Sequence, residues 1–152
     1  MHKKIYTCSQ DLSADTLGDV LRFAKAREMK MTLVAREDVT SDVCKGIIND
    51  LSPYIEASSY LNEWSGTKLI GHAARVYRLR IADGLIDYLR RLGRPIYNYL
   101  EPEMLEDPCI TRADGSEFFT AISHERDSYF MLSRDEKGEL AREIPALRMR
   151  AD

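Results

Sequence analysis

The segment CITRADGSEFFTAIS, from Cys109 to Ser123, decides the fold class that the sequence predicts. Two β-prone runs, Cys109–Arg112 and Glu117–Ser123, flank the pair Asp114-Gly115. An Asp-Gly pair between such runs indicates a β-hairpin, because glycine readily adopts the positive φ of a tight turn. Strands in the second half of the chain are therefore predicted to be joined by a hairpin.

The start of the chain has a different pattern, of a strand, a helix and a second strand. The predicted strands are Lys3–Ser9 and Met31–Ala35, and the predicted helix is Ala14–Glu28 with Ser13 as its N-cap. This opening is βα-like, whereas the later hairpin favours antiparallel pairing. We therefore expect an α+β fold, with a mixed β-sheet of about six short strands and three to four helices packed mainly on one face.

Further elements are predicted from alternation and from capping signals. A second helix is capped by Asp38 or Thr40, and a third by Asp83. Ser133 and Glu136 form a capping box for a last helix. Additional strands are predicted at Thr67–His72, Arg75–Ile81 and Ile96–Leu100. Residues 54–65 favour no single state.

The composition is that of one globular domain, which we place over residues 1–147, followed by a frayed tail at 148–152. Of the 152 residues, 44% are hydrophobic and 31% are charged, a balance that argues against disorder. No apolar run approaches the ~20 residues of a membrane helix, and the N-terminus lacks a signal-peptide pattern. We therefore expect a cytoplasmic protein without membrane association.

The three cysteines, Cys8, Cys44 and Cys109, are widely spaced and form no CxxC pair. This pattern supports neither a disulfide framework nor a zinc ribbon, and it favours reduced thiols. Phosphate-binding loops, a GxSxG elbow and an HExxH pair are also absent from the sequence. No cofactor and no metal site are predicted.

Charge is sorted into two consecutive blocks, an arginine-rich segment at 75–94 and an acidic segment at 101–107. The blocks either compensate each other, inside the fold or across a dimer, or form a surface for a charged partner. The net charge of −3 argues against nucleic acid as that partner. Aromatic residues, Tyr60 and Trp64 among them, crowd the unassigned segment and form either an interaction surface or a cover over the core.

The tetrad His124-Glu125-Arg126-Asp127 is the best candidate for chemistry. Neighbouring side chains diverge in strands and in helices, so His124 cannot meet Glu125 and Asp127 without help from another segment. The favoured interpretation is structural, with Ser123 capping a helical turn. A metal held by His72 and His124 with Glu125 or Asp127 is a weaker alternative.

The leading hypothesis is a non-catalytic protein-binding domain, such as an inhibitor, an immunity-type protein, an adaptor or a self-associating subunit. Its partner would be a different protein or a second copy in a homodimer. The residues predicted to bind the partner are Arg75, Arg78, Arg80, Arg90, Arg91, Arg94, Glu101, Glu103, Tyr60 and Trp64. The alternative is a small hydrolase-like enzyme that uses His124 with Glu125 or Asp127.

Overall fold

The computed structural model describes residues 2–36 and 41–151, in which strands and helices both contribute substantially to the architecture. The strands are β1 (Lys3–Cys8), β2 (Lys30–Ala35), β3 (Ile55–Leu61), β4 (Glu63–Trp64), β5 (Thr67–Lys68), β6 (Ala74–Arg80), β7 (Glu106–Thr111), β8 (Glu117–Ile122), β9 (Asp127–Ser133) and β10 (Met149–Ala151). The helices are α1 (Ala14–Ala26), α2 (Asp42–Leu51), α3 (Asp83–Leu92) and α4 (Arg134–Glu143). Short 3-10 turns lie at Ser52–Tyr54, Ile96–Asn98 and Ser123–Glu125.

Eight of the described strands form one sheet in the order β10-β1-β9-β8-β7-β2-β6-β3, and every neighbouring pair is antiparallel. Strands β4 and β5 form a separate two-stranded hairpin. The α+β class is therefore confirmed, but the predicted mixed sheet of about six strands is wrong. Strands β1 and β2 do run in the same direction, yet three antiparallel strands lie between them, so they never pair.

A row of apolar side chains crosses seven strands on one face of the sheet and forms the centre of the core. Phe119 and Phe130 lie opposite each other in this row, with ring centroids 4.7 Å apart. The whole row, in sheet order, is Tyr6, Phe130, Phe119, Ile110, Met31, Leu79 and Ile55. All but the half-buried Ile55 are buried, and burial of each large side chain stabilises the fold by about 1.5–3 kcal/mol.

The buried stripes of α1, α2 and α3 belong to the same core cluster as this row. Helix α4 is held from its N-terminus, where the guanidinium of Arg112 donates to both carboxylate oxygens of Glu136 at 2.9 Å. Glu136 also closes the capping box with Ser133 that the sequence predicts. That the helices lie mainly on one face stays a prediction, as do the predicted domain boundaries.

Local signals located several elements correctly. Ser13 caps α1 as predicted, and Gly115 at φ 86° closes the turn of the β7–β8 hairpin. In β6 the predicted alternation is confirmed, since Leu79 belongs to the main core cluster and Val76 to a second cluster on the opposite face. Where one face is buried, the period of the pattern is sufficient to place a strand.

Other local predictions were wrong. Ile96–Asn98 is a 3-10 turn and not a strand, because the N–H of Ile96 donates to Leu12 and that of Tyr97 to Asp11. Helix α3 begins at Asp83 after Ala82, without a side-chain cap, and the carboxylate of Asp83 contacts Lys25 instead.

Further differences concern helix starts and short strands. The predicted caps of α2 lie outside the described residues, and Ser41 caps the helix observed. The predicted strand Thr67–His72 is shorter in the structure, where only Thr67–Lys68 (β5) forms a strand. Strands β3, β4 and β9 were not predicted. Strand β10 lies within the tail at 148–152, and the fraying of this tail stays a prediction.

The three thiols are expected to be inert in the folded protein and to make it sensitive to alkali. Burial raises the pKa of Cys8 to about 11, and that of Cys44 and Cys109 to about 12. At pH 8, Ellman's reagent should therefore modify none of them within minutes, and all three after unfolding in urea.

The pH dependence follows from the same shifts. Below about pH 7.5 the thiols are protonated in both states, so their stabilising contribution is complete. At higher pH the unfolded chain releases protons that the folded chain retains, so the free energy of unfolding falls toward pH 11–12. A variant with all three cysteines replaced by alanine should show a shallower fall in its urea midpoint. An equally steep fall, or rapid modification of the native protein, would contradict the expectation.

Candidate functional site

A β-bulge at the start of β7 brings two consecutive carboxylates together. Thr32 of β2 lies opposite Cys109, and Val34 lies opposite Glu106, so two steps on β2 face three steps on β7. Asp107 takes up the extra step with a φ of 52°, in the left-handed region. In a regular strand Glu106 and Asp107 would point to opposite faces. Here one carboxylate oxygen of Glu106, one of Asp107 and one ring nitrogen of His124 all lie within 4.8 Å of one another.

The carboxylate of Asp107 is fully buried and accepts three hydrogen bonds. Its Oδ1 accepts from the backbone N–H of Ser123 at 3.0 Å. Its Oδ2 accepts from Trp64 Nε1 at 3.0 Å and from Thr67 Oγ1 at 3.3 Å. These donors fix the orientation of Asp107, and they tie β7 to the β4–β5 hairpin and to the turn that carries His124.

The β4–β5 hairpin covers the face of the sheet opposite the main core. A second apolar cluster, of Val34, Ala74 and Val76, packs there against Trp64. Gly66, at φ 80°, lies so close to Ile122 that an added Cβ would be 2.8 Å from its side chain. The close approach explains how a short hairpin can shield the Asp107 carboxylate from water.

Glu106 is also buried and is held less firmly than Asp107. Its Oε2 lies 3.0 Å from Arg36 Nε but accepts no hydrogen bond among the described residues, since the alignment is poor. Its Oε1 accepts a long bond of 3.4 Å from the N–H of Glu101. Burial raises the pKa of Glu106 above its ordinary value, and Asp107 adds to this, while Arg36 opposes it.

Glu106 lines an open pocket of about 550 Å³. Its other lining residues are Arg36, Leu69, His72, Ala73, Glu101 and Pro102. Within it, the backbone N–H of Arg36 donates to Glu101 Oε1 at 2.9 Å. The pocket thus connects Glu106 to solvent, and its wall has both polar and apolar parts.

His124 lies in the 3-10 turn between β8 and β9, and its side chain is 45% exposed. Its Nε2 is 3.9 Å from Glu125 Oε1, too far for a hydrogen bond. Asp127 pairs with Ile122 at the start of β9 and is not a member of the cluster with Glu106 and Asp107. The helical turn was predicted, but Ser123 does not cap it, since its hydroxyl donates to Ile96 O.

The sequence pattern assigned the carboxylates near His124 to an acidic loop and did not predict their proximity to it. The segment Glu106-Asp107-Pro108 begins a strand instead. An acidic pair directly before a proline and a β-prone run was the only available signal. A bulge cannot be predicted from such a pattern, because it depends on the register with β2.

The residues predicted to bind a partner lie in three places. Tyr60 lies on β3, and Arg75, Arg78 and Arg80 lie on the adjacent β6. Three others, Arg90, Arg91 and Arg94, lie on α3 or just after it, where Arg90 pairs with Asp15 and Asp19 of α1 and Arg94 approaches Glu103 within 3.6 Å. Trp64 and Glu101 adjoin Asp107 and Glu106. The arginine-rich and acidic segments therefore compensate each other in part within the fold, through the contact between Arg94 and Glu103.

Comparison with protein-family models, curated proteins and solved structures finds no match for this chain. No helix within residues 2–36 and 41–151 is both long enough and apolar enough to cross a membrane.

Replacing Asp107 by asparagine should loosen the β4–β5 hairpin. The NH2 group of asparagine would replace either Oδ1 or Oδ2. Two hydrogen-bond donors would then face each other, either at the N–H of Ser123 or at Trp64 Nε1. An unsatisfied buried donor costs about 1–3 kcal/mol, and we expect a loss of that size in urea unfolding. Trp64 is the sole tryptophan, so its emission should shift to longer wavelength in the folded variant.

The exposed Asp87 in α3 offers the control, because its replacement by asparagine removes the same charge without a buried acceptor. An Asp107→Asn protein as stable as Asp87→Asn, with unchanged emission, would show that the three hydrogen bonds do not hold the hairpin.

Proposed function

We propose that the chain is a non-catalytic, cytoplasmic protein-binding domain that binds an extended acidic segment of another protein along β3. The observation that carries the proposal is the position of β3. It is the last strand of the sheet and pairs only with β6 within the described part of the chain. An edge strand of seven residues presents a row of backbone donors and acceptors to which a further strand can add.

Exposed aromatic and aliphatic side chains at the end of β3 support this proposal. Tyr60 is 55% exposed and Leu61 is 41% exposed. The guanidinium of Arg75 lies 4.0 Å from the ring centroid of Tyr60 and restricts its motion. Large side chains held in place before binding lose little entropy in a complex, which is why such residues often anchor interfaces.

The charge next to β3 indicates the chemistry of the partner. Lys30, Arg78 and Arg80 carry three positive charges, and Glu56 lies within 4.0 Å of Lys30 and Arg78. A partner strand with carboxylates would complement this surface. A second copy pairing through the same edge would bring two positive surfaces together. The charge therefore favours a different protein over a homodimer through β3.

Leu61 and Ile5 provide a matched pair of substitutions. Both are exposed to nearly the same extent, 41% and 40%, but Ile5 lies on β1, at the far side of the sheet. Peptides selected from a random ten-residue library should be rich in Asp and Glu. Leu61→Asp should weaken their binding at least tenfold through charge repulsion, whereas Ile5→Asp should leave it unchanged. Affinity can be measured by fluorescence anisotropy.

Hydrogen exchange gives an independent test of the binding edge. A bound peptide should slow amide exchange in β3 and leave β10, at the opposite edge of the sheet, unaffected. Selected peptides that are basic, or that protect β10 instead, would refute binding along β3. Dimerisation lost in Leu61→Asp would replace the proposed partner with a second copy.

A hydrolase-like activity is the second candidate, and the position of His124 beside two buried carboxylates favours it. An imidazole with a neighbouring carboxylate can act as a general base. Glu106 and Asp107 are better placed than Glu125 or Asp127 to be the carboxylate beside this imidazole. Turnover of activated esters or phosphate esters that disappears in His124→Ala and persists in His72→Ala would favour this candidate over the binding domain.

A further inference from the structure

We propose that Glu106, Asp107 and His124 form a binding site for one divalent transition-metal ion such as Zn²⁺ or Mn²⁺. The site is independent of the β3 edge and adds to the proposed binding function. Its ligand atoms are two carboxylate oxygens and one imidazole nitrogen, all within 4.8 Å of one another. Ligands at the usual distances of about 2.0–2.2 Å from an ion lie about 3–4 Å apart, so small side-chain rotations complete the site.

The surroundings of Asp107 resemble the support that metal-bound carboxylates need. Ser123, Trp64 and Thr67 donate to its two oxygens and hold the carboxylate in one orientation. Oδ1 accepts only one of these bonds and keeps a lone pair for an ion. Such partners fix a ligand before the ion arrives, which lowers the entropy cost of binding.

Glu106 supplies an independent observation that points to a cation. The residue is only 7% exposed, and its Oε2 accepts no hydrogen bond from the described residues although Arg36 Nε lies 3.0 Å away. A buried carboxylate oxygen without an aligned donor is costly, and an ion would satisfy it. Glu106 also lines the pocket of about 550 Å³, which gives an ion a route from solvent and leaves space for water ligands.

The charge balance matches a divalent ion. Glu101, Glu106 and Asp107 carry three negative charges, and Arg36 is the one guanidinium described within hydrogen-bonding distance of this group. A divalent cation would offset the charges of Glu106 and Asp107, the two carboxylates of this partly buried site.

The ligand set selects the class of metal. Imidazole is a good ligand for zinc, and the two carboxylates suit manganese as well, whereas calcium and magnesium prefer oxygen ligands alone. Three protein ligands beside an open pocket leave at least one coordination position for water. We therefore expect Zn²⁺ and Mn²⁺ to bind and Ca²⁺ and Mg²⁺ to compete poorly.

Equilibrium dialysis of the full chain, free of any affinity tag and treated with a chelator, tests the site. We expect one Zn²⁺ per chain, at least tenfold weaker binding in His124→Ala, and a similar loss in Glu106→Gln. His72→Ala is the matched control, because His72 is exposed and lines the same pocket but lies outside the cluster. It should bind Zn²⁺ as the unaltered protein does. Circular dichroism verifies that each variant is folded.

Nitrogen-15 spectra of the three histidines test the same site without any substitution. One equivalent of Zn²⁺ should shift the imidazole signals of His124 and leave those of His2 and His72 in place. The proposal is overturned if no histidine shifts at one equivalent, or if His72 shifts instead. Unchanged affinity in His124→Ala, or equal losses in His72→Ala and His124→Ala, would overturn it as well.

Discussion

The buried carboxylate of Asp107 is the interaction on which the outer face of the sheet depends. Hydrogen bonds to a charged group contribute about 1.5–3 kcal/mol each, and Asp107 accepts three. Together they offset the cost of burying the charge. They also join three parts of the chain, which are β7, the β4–β5 hairpin and the turn before β9. The hairpin is too short to be stable alone, so its position depends on this carboxylate.

Local rules predicted the elements whose signals are local. The Asp114-Gly115 turn, the cap of α1 by Ser13 and the capping box at Ser133 depend on a few adjacent residues, and the structure has all three. The sheet order depends on pairings between distant segments, as between Lys3 and Ser133. No periodic pattern encodes such a partner. The βα-like opening therefore suggested a mixed sheet, although later strands separate β1 from β2.

The candidate site also combines features that depend on adjacent residues with features that depend on pairing between distant segments. Asp127 is absent from the cluster that contains His124, and Glu125 approaches the His124 ring only to 3.9 Å. The rule that neighbouring side chains diverge fails at Glu106 and Asp107, because the bulge and the positive φ of Asp107 turn both carboxylates toward the same site. The charged residues proposed to bind a partner were chosen by residue type alone. Only their positions distinguish Arg78 and Arg80, beside the edge strand, from Arg90, which is engaged in ion pairs between α1 and α3.

The separation of β1 from its neighbours along the chain has a consequence during synthesis. Strand β1 pairs with β9 and β10, which lie more than a hundred residues downstream in the chain. During translation at about 5–20 residues per second, β1 must wait several seconds before its partners leave the ribosome. Until then both of its edges and the apolar side of Tyr6 are exposed to other nascent chains. The sheet can therefore be completed only late in synthesis, and long-range pairing of this kind is expected to slow folding.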